Sequence, residues 1–231
     1  MKNKKITILA FCSILFVNHV FSQQINFDSF NRDDVNTFDR LIMNPYSKTL
    51  DYTGTAMTGL TLLTPAVLFA APTEDYWKIG LEYAETIAIA YGVKELCKLC
   101  VDRARPYMYF DGAPENKIEE GDWNDSFISD HTTLSFAAAG FTSYLFCQYF
   151  SDSPWKIPVV ASSFALASVT ACLRLASGNH FMTDVLCGAV IGTGIGILVP
   201  FLNSLWIKPS YKSEKVQVVG SPMAFALQVK F

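Results

Sequence analysis

Long apolar segments separated by short polar stretches dominate the chain after its first fifty residues. They cover residues 55–71, 79–98, 132–150, 157–173 and 181–206. Each is close to the ~20 residues that a helix needs to cross the hydrocarbon of a bilayer. The segments are rich in Ala, Leu and Gly and lack two-residue alternation, which favours helices over strands. The pattern predicts an all-α, membrane-embedded bundle of about five to six helices.

Residues 1–22 have the organisation of a secretory signal peptide, with lysines at positions 2, 4 and 5 before an apolar run at 6–17. A run of ~12 apolar residues is short for a membrane span, which favours cleavage over the alternative of an uncleaved first transmembrane helix. The predicted division is therefore a signal peptide or first transmembrane helix at 1–22, a helical domain at 23–206 and a tail at 207–231.

The two regions that flank the apolar segments carry weaker patterns. In residues 23–48, apolar residues recur at helical spacing, which predicts an amphipathic helix lying on the bilayer or a helix packed on the bundle. In the tail, residues 216–219 and 223–231 surround a Gly-Ser-Pro turn and predict a β-hairpin.

Composition narrows the class of protein. The chain is 51% hydrophobic and 17% charged, whereas a typical soluble domain has about 25% charged residues. The net charge of −3 and the absence of a long basic run argue against a nucleic-acid partner. One Cys97-x2-Cys100 pair without a second pair is weak evidence for a metal or redox site, so these cysteines are predicted to be buried thiols.

Polar residues that can act on a phosphate concentrate in three clusters: Lys98-x6-Arg105-Pro106, Ser129-Asp130-His131 and Arg174-x5-His180-x3-Asp184. The chain has three histidines, and His19 lies in the predicted signal, so both others fall inside the clusters. Cations, imidazoles and a carboxylate together suit holding a phosphate and attacking it.

The third cluster predicts an activated histidine. On a helix, His180 and Asp184 share one face, so an ionised Asp184 can accept a hydrogen bond from the imidazole and fix its tautomer. A charge-paired histidine at a helix end is the alternative, but an ionisable residue within a membrane segment is a candidate functional residue.

The other two clusters predict an anion site. Ser129 or Asp130 is a suitable N-cap, and the helix N-terminus that it begins attracts phosphate and places His131 beside it. Arg105 and Arg174 offer guanidinium groups that match phosphate oxygens. The alternatives are plain capping in the second cluster and, for Lys98, an interfacial anchor.

If residues after the signal lie outside and every segment spans, residues 98–131 and 174–180 emerge together on the outer face. The lysine-containing tail then falls inside, as the positive-inside tendency predicts. This places the protein in the inner membrane with its site facing the periplasm. A soluble periplasmic protein is the alternative.

The order and spacing of the clusters resemble the type 2 phosphatidic acid phosphatase superfamily, which includes class A acid phosphatases and vanadium haloperoxidases. The family pattern is Lys-x6-Arg-Pro, Pro-Ser-Gly-His and Ser-Arg-x5-His-x3-Asp. In this chain Ile128 replaces the proline, Asp130 the glycine and Leu173 the serine. A carboxylate at position 130 would repel a phosphate unless it points away and caps the helix, so altered affinity or pH dependence is expected.

The resemblance implies a metal-independent phosphatase without a cofactor. It implies that His180 forms a phosphohistidine, that Asp184 orients His180, and that His131 protonates the leaving oxygen. It implies phosphate binding by four further residues: Lys98, Arg105, Arg174 and Ser129.

The apolar segments favour a phosphorylated lipid as substrate: phosphatidate, a phosphatidylglycerol phosphate, an isoprenoid diphosphate or a lipid A phosphate. A secreted, soluble acid phosphatase of broad specificity is the main alternative, and a silent anion-binding protein is another. A metal site built from His131, His180 and Asp184 would leave the nearby cations unexplained, because cations repel a metal.

The acidic loop at 107–127 is predicted to be a solvated loop, which is favoured over the alternative of a lid that selects head groups. The sequence does not determine the oligomeric state.

Overall fold

The computed structural model describes residues 30–206, 216–221 and 224–229. Five long helices form the body of the molecule: α2 (Lys48–Leu62), α3 (Tyr76–Cys100), α5 (Asp130–Tyr149), α6 (Lys156–Ala176) and α7 (Met182–Trp206). Two short helices, α1 (Thr37–Arg40) and α4 (Glu115–Glu119), lie in the connections. The predicted all-α bundle is confirmed, and each apolar segment corresponds to one long helix.

The largest difference from the predicted segments lies in the first one. Helix α2 begins seven residues before the apolar run and ends at Leu62, and a 3-10 helix over Thr64–Ala70 completes the segment. Pro65 stands at the start of this 3-10 helix. Proline cannot donate the hydrogen bond that would continue an α-helix through this position.

Helix α5 is the centre of the bundle and packs against α2, α3, α6 and α7. Its middle is a run of small residues, Ala137–Gly140, that is wholly buried. Two of its hydroxyl groups, on Thr133 and Thr142, donate to carbonyl oxygens four residues earlier, whereas Ser135 Oγ and Ser143 Oγ are buried without a hydrogen-bond partner among the described residues. A Cβ on Gly192 of α7 would overlap the Thr133 backbone, so glycine allows the two helices to approach closely.

Three helical segments are long and apolar enough to cross a membrane: Lys48–Ala70, Lys156–Ala176 and Met182–Leu205. Large apolar side chains on their outward faces are exposed, including Phe69, Ile157 and Val190. Such a surface is matched to hydrocarbon rather than to water.

The segment before α2 differs from the predicted continuous helix. Its described part contains a 3-10 turn at Arg32–Asp34 and the four-residue helix α1, which Asn36 caps by accepting from the Asp39 backbone N–H. Asp39 itself is buried, which a helix lying freely on a bilayer would not require.

In the tail, strands β1 (Val216–Ser221) and β2 (Ala224–Val229) pair antiparallel, with Val216 opposite Val229. The predicted signal at 1–22 and the connection at 207–215 lie outside the described residues.

Candidate active site

The three clusters meet at one end of the bundle. This end combines the last turns of α3 and α6 with the first turns of α5 and α7. Hydrogen bonds join the clusters directly: Arg105 reaches His180 at 3.2 Å, Lys98 reaches Asp130 at 2.8 Å, and the Ser129 N–H donates to the Asp184 carbonyl at 3.3 Å.

A tight turn after α6 places His180. Gly178 has a φ of 73°, a conformation that favours glycine, and an added Cβ would overlap the backbone of Asn44 and Pro45. The Gly178 carbonyl accepts from the Tyr107 N–H at 3.1 Å, which ties this turn to the first cluster. His180 follows in the non-helical residues before α7 and is 2% exposed.

The hydrogen bonds of His180 define its tautomer. Nδ1 lies 2.8 Å from the Ser126 carbonyl oxygen, which can only accept, so Nδ1 carries the proton. Nε2 therefore presents its lone pair, which accepts from Arg105 Nη1 at 3.2 Å. Burial, followed by the charges of Arg105 and Arg174, lowers the pKa of His180 well below its usual value. The ring is neutral, as a nitrogen nucleophile must be.

Asp184 lies beside this imidazole but does not accept the direct hydrogen bond that the sequence predicted. Its Oδ2 lies 3.9 Å from His180 Nδ1, beyond hydrogen-bond distance, and instead accepts from Ser126 Oγ at 2.6 Å and from the Phe181 N–H at 2.8 Å. The prediction assumed that both residues lie on one helix, but α7 begins at Met182. Asp184 therefore reaches His180 through Ser126, a residue that the sequence analysis did not identify.

Each of the three cations is paired with a carboxylate. Lys98 pairs with Asp130 at 2.8 Å, Arg105 with Asp122 at 2.5 Å and Arg174 with Asp51 at 2.5 Å. A bound phosphate would compete with these carboxylates for the same donors.

Asp51 and Asp122 were not identified from the sequence. Asp51 lies in the first turn of α2, and Asp122 belongs to the acidic loop that was expected to be solvated. Lys117 of the same loop bridges them, at 3.2 Å from Asp51 and 3.1 Å from Asp122. The loop is therefore joined by ion pairs to Arg105 and to α2, which no local sequence signal indicated.

The second cluster begins α5 as predicted, with Ser129 at the N-cap position, although its side chain makes no capping hydrogen bond. Ser129 is wholly buried and its Oγ is bonded to Thr132 Oγ1 at 2.9 Å. His131 Nε2 lies 3.1 Å from Thr55 Oγ1. Burial, followed by the charge of Arg174, lowers the pKa of His131 to about 4. Both histidines are thus neutral at pH 7.

Several polar atoms around the site retain hydrogen-bonding capacity. Among the described residues, Arg174 Nε, Asn179 Oδ1 and Tyr107 OH are buried without a hydrogen-bond partner. An unpartnered guanidinium N–H beside the histidines is a donor available to an anionic ligand. In the same part of the chain, no three His, Cys, Asp or Glu residues group closely enough to hold a metal ion.

An apolar helical bundle with buried arginines and a buried histidine at one end defines a membrane protein with a candidate anion site. The sequence matches the PAP2 superfamily over residues 79–206, more than half of the chain and all three clusters. The chain therefore belongs to the PAP2 superfamily, and the resemblance expected from the clusters is confirmed.

Two curated proteins and one solved structure illustrate the relationship. The lipid A 1-phosphatase of Porphyromonas gingivalis is 28% identical over 149 residues, 63% of this chain and 29% of that protein. A PA-phosphatase related-family protein of Dictyostelium discoideum is 31% identical over 133 residues, 54% of this chain and 48% of that protein. The chain spans less than half of the length of either relative.

The solved structure is the first transmembrane PAP2 type phosphatidylglycerolphosphate phosphatase from Bacillus subtilis. It has a TM-score of 0.52 and 20% identity, over 74% of this chain and 85% of that chain. This similarity extends to the fold, and together with the three apolar helices it identifies a membrane-embedded bundle.

Proposed function

We propose that this chain hydrolyses a lipid phosphate without a metal, through a phosphohistidine formed on His180. The observation that carries the proposal is the state of His180: neutral, protonated on Nδ1, with Nε2 directed at Arg105. A nucleophile held beside fixed cations suits attack on a phosphate, whose oxygens those cations bind.

In the proposed complex, phosphate oxygens replace carboxylates as partners of Lys98, Arg105 and Arg174. Arg174 Nε supplies a further N–H, since it is buried and unpartnered among the described side chains. Ser129 would join these donors by rotating its Oγ away from Thr132.

The reaction then proceeds in two displacements. His180 Nε2 attacks phosphorus, the P–O bond to the lipid breaks, and protonated His131 gives its proton to the leaving oxygen. Water then attacks the phosphohistidine, His131 takes a proton from that water, the P–N bond breaks and orthophosphate leaves. The low pKa of His131 in the ligand-free site rises when a phosphate anion binds beside it, which lets it act as an acid.

A lipid is the substrate class that the molecule supports best. The site lies at one end of a bundle whose exterior is apolar, a position where a lipid head group can reach it while the acyl chains stay in hydrocarbon. Two relatives bear the names lipid A 1-phosphatase and phosphatidylglycerolphosphate phosphatase. Phosphatidate, phosphatidylglycerol phosphate, isoprenoid diphosphates and lipid A phosphates are the candidates, at the periplasmic face of the inner membrane.

Phosphate release by detergent-extracted protein tests the proposal. The substrates are the four lipid phosphates and one soluble phosphomonoester, all in excess chelator. We expect release from a lipid to survive chelator and to fall at least about a thousandfold in His180→Ala. Arg40→Ala, which removes an exposed arginine paired with Asp33, is the control and should retain wild-type rates. Activity in His180→Ala equal to wild type would reject the nucleophile, and preference for the soluble ester would favour the acid phosphatase alternative.

A further inference from the structure

Arg103 lies between two buried carboxylates beside the proposed site. Its Nη2 donates to Asp39 Oδ2 at 2.7 Å, and its Nη1 donates to Thr183 Oγ1 at 2.8 Å and to Asp184 Oδ1. Its guanidinium lies over the Phe181 ring, 4.1 Å from the centroid. In the proposed reaction, neither Arg103 nor Asp39 binds the phosphate or transfers a proton.

Asp39 joins the segment before α2 to the first turn of α7. Its side chain is fully buried, and it accepts hydrogen bonds from the Thr183 N–H, from Thr183 Oγ1 and from Asn36, all at 2.7–2.8 Å. Burial by itself raises the pKa of Asp39, but these hydrogen bonds and the one from Arg103 lower it overall, so the carboxylate is charged. A buried carboxylate needs such a set of donors to remain ionised.

Arg103 also fixes the peptide that holds His180. Its backbone N–H donates to the Asn124 carbonyl at 2.9 Å, and its carbonyl accepts from the Ser126 N–H at 3.0 Å. Its guanidinium binds Asp184, which accepts from Ser126 Oγ. Ser126 is thus held at its N–H and its hydroxyl, and its remaining carbonyl accepts from His180 Nδ1.

We propose that Arg103 and Asp39 are positioning residues, which keep Asp184 charged and the Ser126 carbonyl directed at His180 Nδ1. Without the guanidinium, two buried carboxylates would lack their shared cation, and the favourable response is for one to bind a proton. A proton on Asp184 Oδ1, the oxygen that Arg103 leaves, removes the negative charge and so weakens the hydrogen bonds that Oδ2 accepts from Ser126 Oγ and the Phe181 N–H. The Ser126 peptide would then turn, and His180 would lose the partner that directs its lone pair to phosphorus. The inference rests on the proposed function for its kinetic consequence only.

The first test is independent of turnover. Protein with ¹⁵N-labelled histidine in detergent micelles should show a hydrogen-bonded Nδ1–H signal, assigned by its loss in His180→Ala. We expect Arg103→Met and Asp39→Asn to weaken or shift this signal, while Arg40→Met leaves it unchanged. An unchanged signal in both variants would overturn the inference, whatever the substrate proves to be.

The second test is kinetic. We expect Arg103→Met and Asp39→Asn to lower kcat about 10- to 100-fold with KM changed less than about threefold, because they disturb a group behind the nucleophile and not the phosphate donors. Arg103→Lys should restore part of kcat by returning one cation. The double variant should be no slower than Arg103→Met, since both act through one contact. A rise in KM without a fall in kcat would contradict the positioning role. So would a fall in kcat in Arg40→Met equal to that in Arg103→Met. Wild-type protein without phosphatase activity would reject the proposed function but leave the NMR result standing.

Discussion

At position 130, where the resemblance expects glycine, the structure shows how an aspartate is accommodated. Asp130 Oδ2 accepts from Lys98 at 2.8 Å and from Lys94 at 3.3 Å. Burial by itself raises the pKa of Asp130, but the two lysines lower it overall, so the group is a carboxylate. Asp130 neither points away from the site nor simply caps the helix. It binds Lys98, a cation that the family resemblance assigns to phosphate binding.

Replacing this carboxylate should strengthen anion binding. In Asp130→Gly, Lys98 loses its intramolecular partner and becomes available to phosphate, so we expect orthophosphate to inhibit at about tenfold lower concentration, as loss of a competing charged hydrogen bond implies. Asp130→Asn should give a smaller effect in the same direction. Inhibition constants measured with one lipid substrate check this. Unchanged kinetics in Asp130→Gly would contradict the prediction.

The buried His180 and the half-buried His131 should make stability depend on pH. His180 and His131 have folded-state pKa values below the value of about 6.5 expected in the unfolded chain. The unfolded state then binds protons that the folded state does not, so stability is fully present above pH 6.5 and falls as pH falls towards about 4, the folded pKa of His131. Thermal unfolding in detergent, from pH 7 to pH 4.5, should show this decline. His131→Gln should reduce its slope by up to about 1.4 kcal/mol per pH unit, and an identical slope would contradict the assignment.

At the scale of elements, the site depends on how closely α5 and α7 approach each other. Gly192 faces the backbone of Thr133, two residues beyond His131, and its helix also carries Asp184. Gly194, two residues further along α7, has open space where a Cβ would stand. Comparing substitutions at these two glycines therefore distinguishes the effect of helix–helix packing on stability from the effect of intrinsic helix propensity.

Alanine substitutions at these positions should have opposite effects. Gly192→Ala forces a Cβ against backbone that cannot rotate aside, so we expect a loss of about 1–3 kcal/mol and a lower Tm. Gly194→Ala should leave Tm unchanged or raise it slightly, since alanine favours the helix by about 0.5–1 kcal/mol. Thermal unfolding in one detergent compares them. A lower Tm in Gly194→Ala than in Gly192→Ala would mean that the α5–α7 contact is not the reason for glycine.

For the whole molecule, the proposed orientation places the site outside and the α5–α6 turn inside. Cys100, which the sequence predicted to be buried, is an exposed free thiol at the end of α3, on the same side as Lys98. Asp152 is exposed in the opposite turn. With all other cysteines changed to serine, an impermeant maleimide should label Cys100 in intact spheroplasts. It should label a cysteine-free chain carrying Asp152→Cys only after lysis. The reverse pattern would invert the proposed topology, and release of the protein by osmotic shock would contradict membrane embedding.

Much of this architecture was predictable because it depends on local pattern. The lengths of the apolar runs predicted a bundle of about five to six helices, of which the structure has five long ones among the described residues. Alternation of their direction predicted one shared face for all three clusters. The prediction of a helix before α2 was wrong, because this segment instead follows tertiary hydrogen bonds that hold Asp39 on Thr183. Periodicity alone does not show such contacts. The predicted direct hydrogen bond from His180 to Asp184 was wrong, because spacing does not show where a helix begins.

The sequence by itself determined which segments are helical and which residues carry the candidate chemistry, because helix formation and residue type act over a few neighbouring positions. Only the tertiary structure decided the partners of those residues: Asp51 for Arg174, Asp122 for Arg105, and Ser126 for His180. The two members of each pair lie between 17 and 123 positions apart along the chain. Hydrogen bonds and ion pairs act over a few ångströms in space, and no local pattern records which distant residues the packing of α5 against its neighbours brings within that distance.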